Sequence, residues 1–239
     1  MADRLKNTVV VLTGAGGGIG TALTEALLQA GVAEIIATGR ETPEPQPRVR
    51  AELLDVTDAG SVHALAERLG NRVSVVIHCA GVNGNRRLFT PGYEDGARLE
   101  MAVNYFGLLN LAAAFAPAMR ARRNGVFVNL LSLLSHVNLP HMATYCASKA
   151  AAHSLTQALR AELSRDGVLV CGVYPAVVDT SMSSHIPGTK LAPAELAQLI
   201  VQGIEQGAED IFPGPAEAAY RQFVADPKGM ERGMAARLP

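Results

Sequence analysis

The run Val9-Val10-Val11-Leu12-Thr13-Gly14-Ala15-Gly16-Gly17-Gly18-Ile19-Gly20, continued by TALTEALL to Leu28, passes from a β-branched stretch through a glycine turn into an amphipathic segment. Continuous β-branched apolar residues read as a buried strand. Glycines permit a tight turn and close approach by another backbone or a ligand. The first turn of the helix that follows leaves N–H groups unpaired and carries partial positive charge, which favours an anion. Strand, loop and helix in this order suit the pyrophosphate of a dinucleotide, and they assign contacts to Gly14, Gly16, Gly18, Ile19 and Gly20. No GxxxxGK[ST] run occurs, which disfavours a P-loop triphosphatase.

The same alternation continues outward. Strands are expected over 8–12, 35–38, 49–53, 73–78, 126–131 and 168–174, with a short last one over 210–212. Helices are expected over 19–30, 61–69, 94–122, 144–165 and 193–206. Nearly continuous apolar strands belong to a parallel sheet covered on both faces. The fold class is therefore α/β, a Rossmann-type doubly wound parallel sheet of about seven strands with helices on both faces. The Pro-rich stretch 42–47 reads as a loop in place of a crossover helix, and residues 215–239 as a tail that docks on a partner subunit or frays.

Composition narrows the function. With 239 residues, 49% hydrophobic, 18% charged and a net charge of −1, the chain reads as one domain, 1–239, with a substantial core. There is no basic excess for nucleic acid. Asp3, Arg4 and Lys6 precede an apolar stretch too short for a signal peptide, and no unbroken apolar run reaches the roughly 18 residues of a membrane span. Cys79, Cys146 and Cys171 form no CxxC pair, so neither a disulfide framework nor a metal site is expected, and a reducing cytoplasm fits. The helix over 94–122 carries Leu99, Met101, Phe106, Leu109 and Phe115 on more than one face. Such a helix needs covering twice, by its own sheet and by a second subunit, so a homodimer or homotetramer is expected.

Tyr145 and Lys149 stand at i and i+4 near a helix start, so phenol and ammonium share one face. Acid–base work by a tyrosine near neutrality requires stabilising its phenolate by about three pKa units, on the order of 4 kcal/mol, and a neighbouring cation pushes that way. A GxSxG elbow is absent, so a serine hydrolase is disfavoured.

The TGxxxGxG spacing at Thr13–Gly20 and the YxxxK at Tyr145–Lys149 resemble the short-chain dehydrogenase/reductase family, and the likeness runs from about Asn7 to Thr180. The resemblance implies that Ser132, thirteen residues before Tyr145, holds the substrate oxygen, that Lys149 binds the nicotinamide ribose and tunes Tyr145, and that Asn104 orders a relay water. It places Asp55 and Val56 at the adenine; Asp55 equally suits a helix N-cap. Ala80 and Gly81 would lie beside the ribose, and Pro175, Val178 and Thr180 near the nicotinamide. His78-Cys79 departs from the family's Asn-Asn, and His78 reads as a core histidine rather than a base. Ala176 replaces the usual glycine and would be strained at positive φ.

Cofactor choice turns on the end of the second strand, where an acid accepts a ribose hydroxyl and an arginine accommodates a 2'-phosphate. Arg40 stands there, while Glu34 lies at the other end of the strand, so NADP(H) is expected ahead of NAD(H). The substrate space falls to Ser132, Leu134, Met142, Tyr145, Met182 and Ile186, with a substrate loop over 181–192. The expected activity is hydride transfer between NADP(H) and a small-molecule ketone or aldehyde, Tyr145 acting as acid–base. Alternatives are a β-ketoacyl carrier-protein reductase, an NAD-dependent alcohol dehydrogenase and a nicotinamide-binding sensor without turnover.

Overall fold

Alternate residues of the first strand enter different cores. Val10 and Leu12 pack into one apolar cluster and Val11 into the other, which is why the run has no polar face. The computed structural model describes residues 3–41, 44 and 46–238. Its strands are β1 (Val9–Thr13), β2 (Glu34–Gly39), β3 (Val49–Leu53), β4 (Val73–His78), β5 (Gly125–Leu130), β6 (Val168–Val173) and β7 (Asp210–Ile211). They form one parallel sheet in the order β3-β2-β1-β4-β5-β6-β7. The order reverses between β1 and β4, so the crevice beyond their carboxyl ends is where this architecture binds ligands.

Helices α1 (Gly18–Gln29) and α6 (Pro193–Gln206) pack together on one face; α2 (Ala59–Leu69), α4 (Gly107–Arg122) and α5 (Ala143–Leu163) cover the other. Helix α2 is capped by Asp58, whose carboxylate accepts from the Ser61 N–H at 3.2 Å. The N-cap of α1, Gly17, supplies no side-chain cap, which leaves its first turn able to receive a ligand.

Two expectations change. The helix over 94–122 is α3 (Tyr93–Met101), a five-residue π turn (Ala102–Phe106) and α4. The turn coincides with Asn104, whose side chain bonds sideways to the Val82 backbone, and inserted residues of this kind accompany functional sites. By length and composition this helix is apolar enough to cross a bilayer, although no unbroken apolar run is; half of its most apolar stretch is buried, and it packs on β4, β5 and α5. Residues 215–235 are regular rather than a frayed tail. They form α7 (Pro215–Ala225) and α8 (Pro227–Ala235), started by prolines and, at α8, by Asp226 accepting from the Gly229 N–H at 2.8 Å. Residues 42, 43 and 45 of the Pro-rich loop lie outside the described residues.

Candidate active site

Two cavities meet at the carboxyl ends of the strands. One, of about 580 Å³, is lined by Gly14, Gly16, Gly17, Arg40, Asp55, Val56 and Ala80. The other, of about 490 Å³, is lined by Ser132, Leu134, Met142, Tyr145, Lys149, Met182 and Ile186. Gly81 borders both.

The glycine loop builds the first cavity. Gly14 has φ +67°, and a Cβ on it would stand 2.8 Å from the Ala80 backbone, so β1 and the segment after β4 approach only because this residue has no side chain. The Ala80 N–H donates to Thr13 Oγ1 at 3.1 Å, and that hydroxyl lies 3.2 Å from His78 Nδ1. His78 is a core residue, its pKa pushed down to about 3 by burial and then by the Lys149 charge, which keeps it neutral. Asp55 does not cap α2; its Oδ1 accepts from the Thr57 N–H at 2.9 Å and from the Thr57 hydroxyl, and the residue lines the cavity. Arg40 is exposed and forms no ion pair with any described residue, whereas Glu34 is held by Arg72 at the opposite end of β2.

Gly18 and Gly20 border neither cavity. Gly20 instead lets α1 close on the loop, since a Cβ there would stand 2.2 Å from the Gly14 carbonyl oxygen. Ile19, Pro175, Val178 and Thr180 line the second cavity rather than the first, at the end nearest α1. Ala176 is not among the residues with positive φ, so the alanine is unstrained. Val178 bridges to Leu191, which pins both ends of the intervening substrate loop.

In the second cavity the side chains of β5 and α5 converge. Ser132 Oγ accepts from the Leu134 N–H at 3.1 Å, and its hydroxyl interacts with the Tyr145 phenol. Lys149 is buried and its Nζ donates to the Leu130 carbonyl at 2.6 Å, 5.9 Å from the centre of the Tyr145 ring. Burial pushes the Lys149 ammonium down to about 8. Tyr145 moves opposite to the expectation from its neighbour. Burial pushes the phenol up to about 12, with only its hydrogen bond to Ser132 pulling the other way, because the lysine is turned toward β5 and the nearby Glu100 charge opposes ionisation.

Asn104 is buried but borders neither cavity. Its Oδ1 accepts from the Val82 N–H, and its Nδ2 donates to the Val82 carbonyl and to Ser148 Oγ, each at 2.9 Å. The Ser148 hydroxyl donates to the Tyr145 carbonyl at 2.8 Å, so Asn104 is knitted to the helix that carries Tyr145. Ser135, another serine near Ser132, has its hydroxyl tied to the Ser132 N–H at 3.3 Å.

Several residues here were not anticipated from sequence. Glu100 is buried, and its Oε1 accepts from the Gly84 N–H at 2.7 Å, anchoring the loop after β4. Of residues 83–92 in that loop Asn83 alone lines the cavity, while Arg86 bonds the Pro91 carbonyl at 2.8 Å. Ala219, Gln222, Met230, Met234 and Arg237 close the cavity from α7, α8 and the residues after them. The proline at each helix start and the Asp226 cap are the sequence signals that mark this hairpin.

Comparison with known proteins agrees with this geometry. Residues 8–190 match the family described as short chain dehydrogenase. An uncharacterized oxidoreductase of Staphylococcus saprophyticus is 29% identical over 219 residues, covering 84% of this chain and 93% of the relative. The crystal structure of a short chain dehydrogenase from Burkholderia cenocepacia in complex with NADP superposes with a TM-score of 0.91 at 34% identity, covering 97% of this chain and 98% of that one. A short-chain dehydrogenase from Sphingobium yanoikuyae in complex with NADPH gives a TM-score of 0.80 at 25% identity, covering 97% of this chain and 96% of that one. A doubly wound sheet, a glycine loop opening on its switch point and a match over most of the chain lead to one conclusion: the protein belongs to the short-chain dehydrogenase/reductase family of oxidoreductases.

Proposed function

We propose that the protein interconverts a carbonyl compound and its alcohol by hydride transfer with NADP(H). The observation that carries this reading is that Ser132, Tyr145 and Lys149 face one cavity that joins, at Gly81, the cavity built by the glycine loop. The first cavity fits a dinucleotide: the start of α1 has no side-chain cap, and Arg40 stands exposed at the end of β2, suited to a 2'-phosphate. Ile19, Val178 and Thr180 would hold the nicotinamide end. Bound there, the nicotinamide supplies or accepts the hydride. Ser132, beside the Tyr145 phenol, donates its hydroxyl hydrogen to the substrate oxygen and so polarises the carbonyl. Tyr145 holds the proton that this oxygen receives. Lys149 keeps a positive charge beside the phenol, and Asn104 locks the π turn against the Tyr145 helix.

The walls between these groups and the C-terminal hairpin are largely apolar, with Leu134, Met142, Met182, Ile186, Met230 and Met234 facing the cavity. That lining favours an aryl or alkyl ketone or aldehyde over a polyol. The three unpaired thiols suit a reducing compartment such as the cytoplasm. Leu99, Phe106 and Leu109 are exposed along one continuous helix, and a second subunit would cover them. Light scattering of the purified protein is expected to read a dimer or tetramer, and a Phe106→Arg variant to shift toward monomer; an unaltered monomer in both removes the oligomer from this reading.

Oxidation of NADPH and of NADH, followed with ketones, aldehydes, quinones and a β-ketoacyl thioester, tests the activity directly. Tyr145→Phe is expected to lower turnover by about 10²–10⁴-fold while NADPH binding persists. A fully active variant would overturn the assignment of the acid–base.

A further inference from the structure

The cavity that holds Tyr145 has an uneven charge. Among the described residues that line it only Lys149 and Arg237 are charged, and no carboxylate side chain of theirs faces it. Lys149 is buried beside the phenol and its Nζ is engaged by the Leu130 carbonyl. Arg237 lies just beyond α8, and its side chain forms neither an ion pair nor a hydrogen bond with any described residue.

The arginine is nevertheless built into place. Its carbonyl accepts a hydrogen bond from His141 Nε2 at 2.6 Å, and its N–H donates to the Met234 carbonyl at 3.2 Å. Met234 is itself buried against the cavity. His141 belongs to the short turn Pro140–Met142 that leads directly into α5 and Tyr145. The backbone at Arg237 is thus clamped to the segment that positions the acid–base, and the exposed arginine lines a cavity whose walls are largely apolar. An arginine fork with no protein carboxylate is suited to a planar anion brought by the ligand.

We infer that the substrate is amphiphilic, an apolar carbonyl compound whose remote end carries an anionic group recognised by Arg237. This rests on the carbonyl-oxidoreductase reading for the reacting end alone. The anion is a carboxylate on the substrate itself or a phosphate on a carrier such as coenzyme A, and the two are separated by the probes below.

The experiment is a calorimetric titration of the full-length protein saturated with NADP⁺, a state in which a keto probe cannot be reduced. The probes are 5-oxo-5-phenylpentanoate, its methyl ester, and acetoacetyl-coenzyme A. The acid is expected to bind at least about tenfold more tightly than the ester, a difference of about 1.4 kcal/mol. Arg237→Ala is expected to bring that ratio to about one, Arg237→Lys to retain part of it, and added salt to narrow it in the wild type because the guanidinium is exposed. Arg237-dependent binding of acetoacetyl-coenzyme A, without preference for the keto acid, supports the anion site and assigns it to phosphate. An acid-to-ester ratio near one in the wild type, or one unaltered in Arg237→Ala, with no Arg237 dependence for the coenzyme A probe, overturns the inference. Reduction of the ester by NADPH in wild type and Tyr145→Phe tests the carbonyl chemistry separately, so failure of one reading is distinguishable from failure of the other.

Discussion

Arg40 and Glu34 occupy opposite ends of β2, and their partners decide what each can do. Glu34 is committed to Arg72, while Arg40 faces the glycine-loop cavity without an ion-pair partner among the described residues. Charge-assisted hydrogen bonds contribute about 1.5–3 kcal/mol, so Arg40→Asp is expected to lower kcat/KM with NADPH by about 10–100-fold and to narrow or reverse the preference over NADH. Steady-state kinetics with both dinucleotides checks it; an unaltered ratio would detach Arg40 from the 2'-phosphate. The residues with a fixed spacing were legible before the structure, because Tyr145 and Lys149 share a helix face by periodicity alone and Ser132 follows β5 directly. The charge state of Tyr145 was not, since it depends on burial and on the lysine's turn toward Leu130, neither of which spacing encodes.

At the level of elements, β1, β2 and β4 to β6 were readable because parallel strands covered on both faces are nearly continuous in apolar residues, whereas the edge strand β3 carries exposed Arg50. The π turn was hidden, as an extra residue in a helix leaves no periodic mark and only Asn104 hints at it. The α7–α8 hairpin was hidden for another reason: alanine, charge and glycine dominate it, and its purpose lies in contacts with segments far back in the chain. Those contacts make it testable. Met234 is buried on the cavity side of α8, and a lysine there would place an unpaired charge among apolar walls. Met234→Lys is expected to raise KM for an apolar ketone by about tenfold or more and to leave KM for NADPH little altered. Equal losses for ketone and dinucleotide would instead indicate that the hairpin supports the whole fold.

For the whole molecule, acid is the condition that reveals stored cost, because buried histidines are kept neutral by packing. His78 is held near 3 and His136 near 4, both by burial first, with a positive neighbour adding to each: Lys149 for His78 and His153 for His136. Both folded-state values lie below the ordinary 6.5, so the unfolded chain binds more protons as pH falls from about 6.5 toward 4. Stability present above pH 6.5 is therefore lost through that window, with a slope approaching about 1.4 kcal/mol per pH unit for the fully buried His78. Half-exposed His136 adds a smaller amount in the same direction. Denaturant midpoints measured from pH 7 to 4 are expected to fall, and His78→Asn to flatten the decline; a flat wild-type curve contradicts it. The party wall at Gly81 has a consequence for time rather than energy. Ile19, Val178 and Thr180 line the second cavity, across Gly81 from the glycine loop, so a dinucleotide laid along that loop would reach them through this junction. On the proposed reading the expected order is the nucleotide first in and last out, with the smaller molecule arriving and departing between.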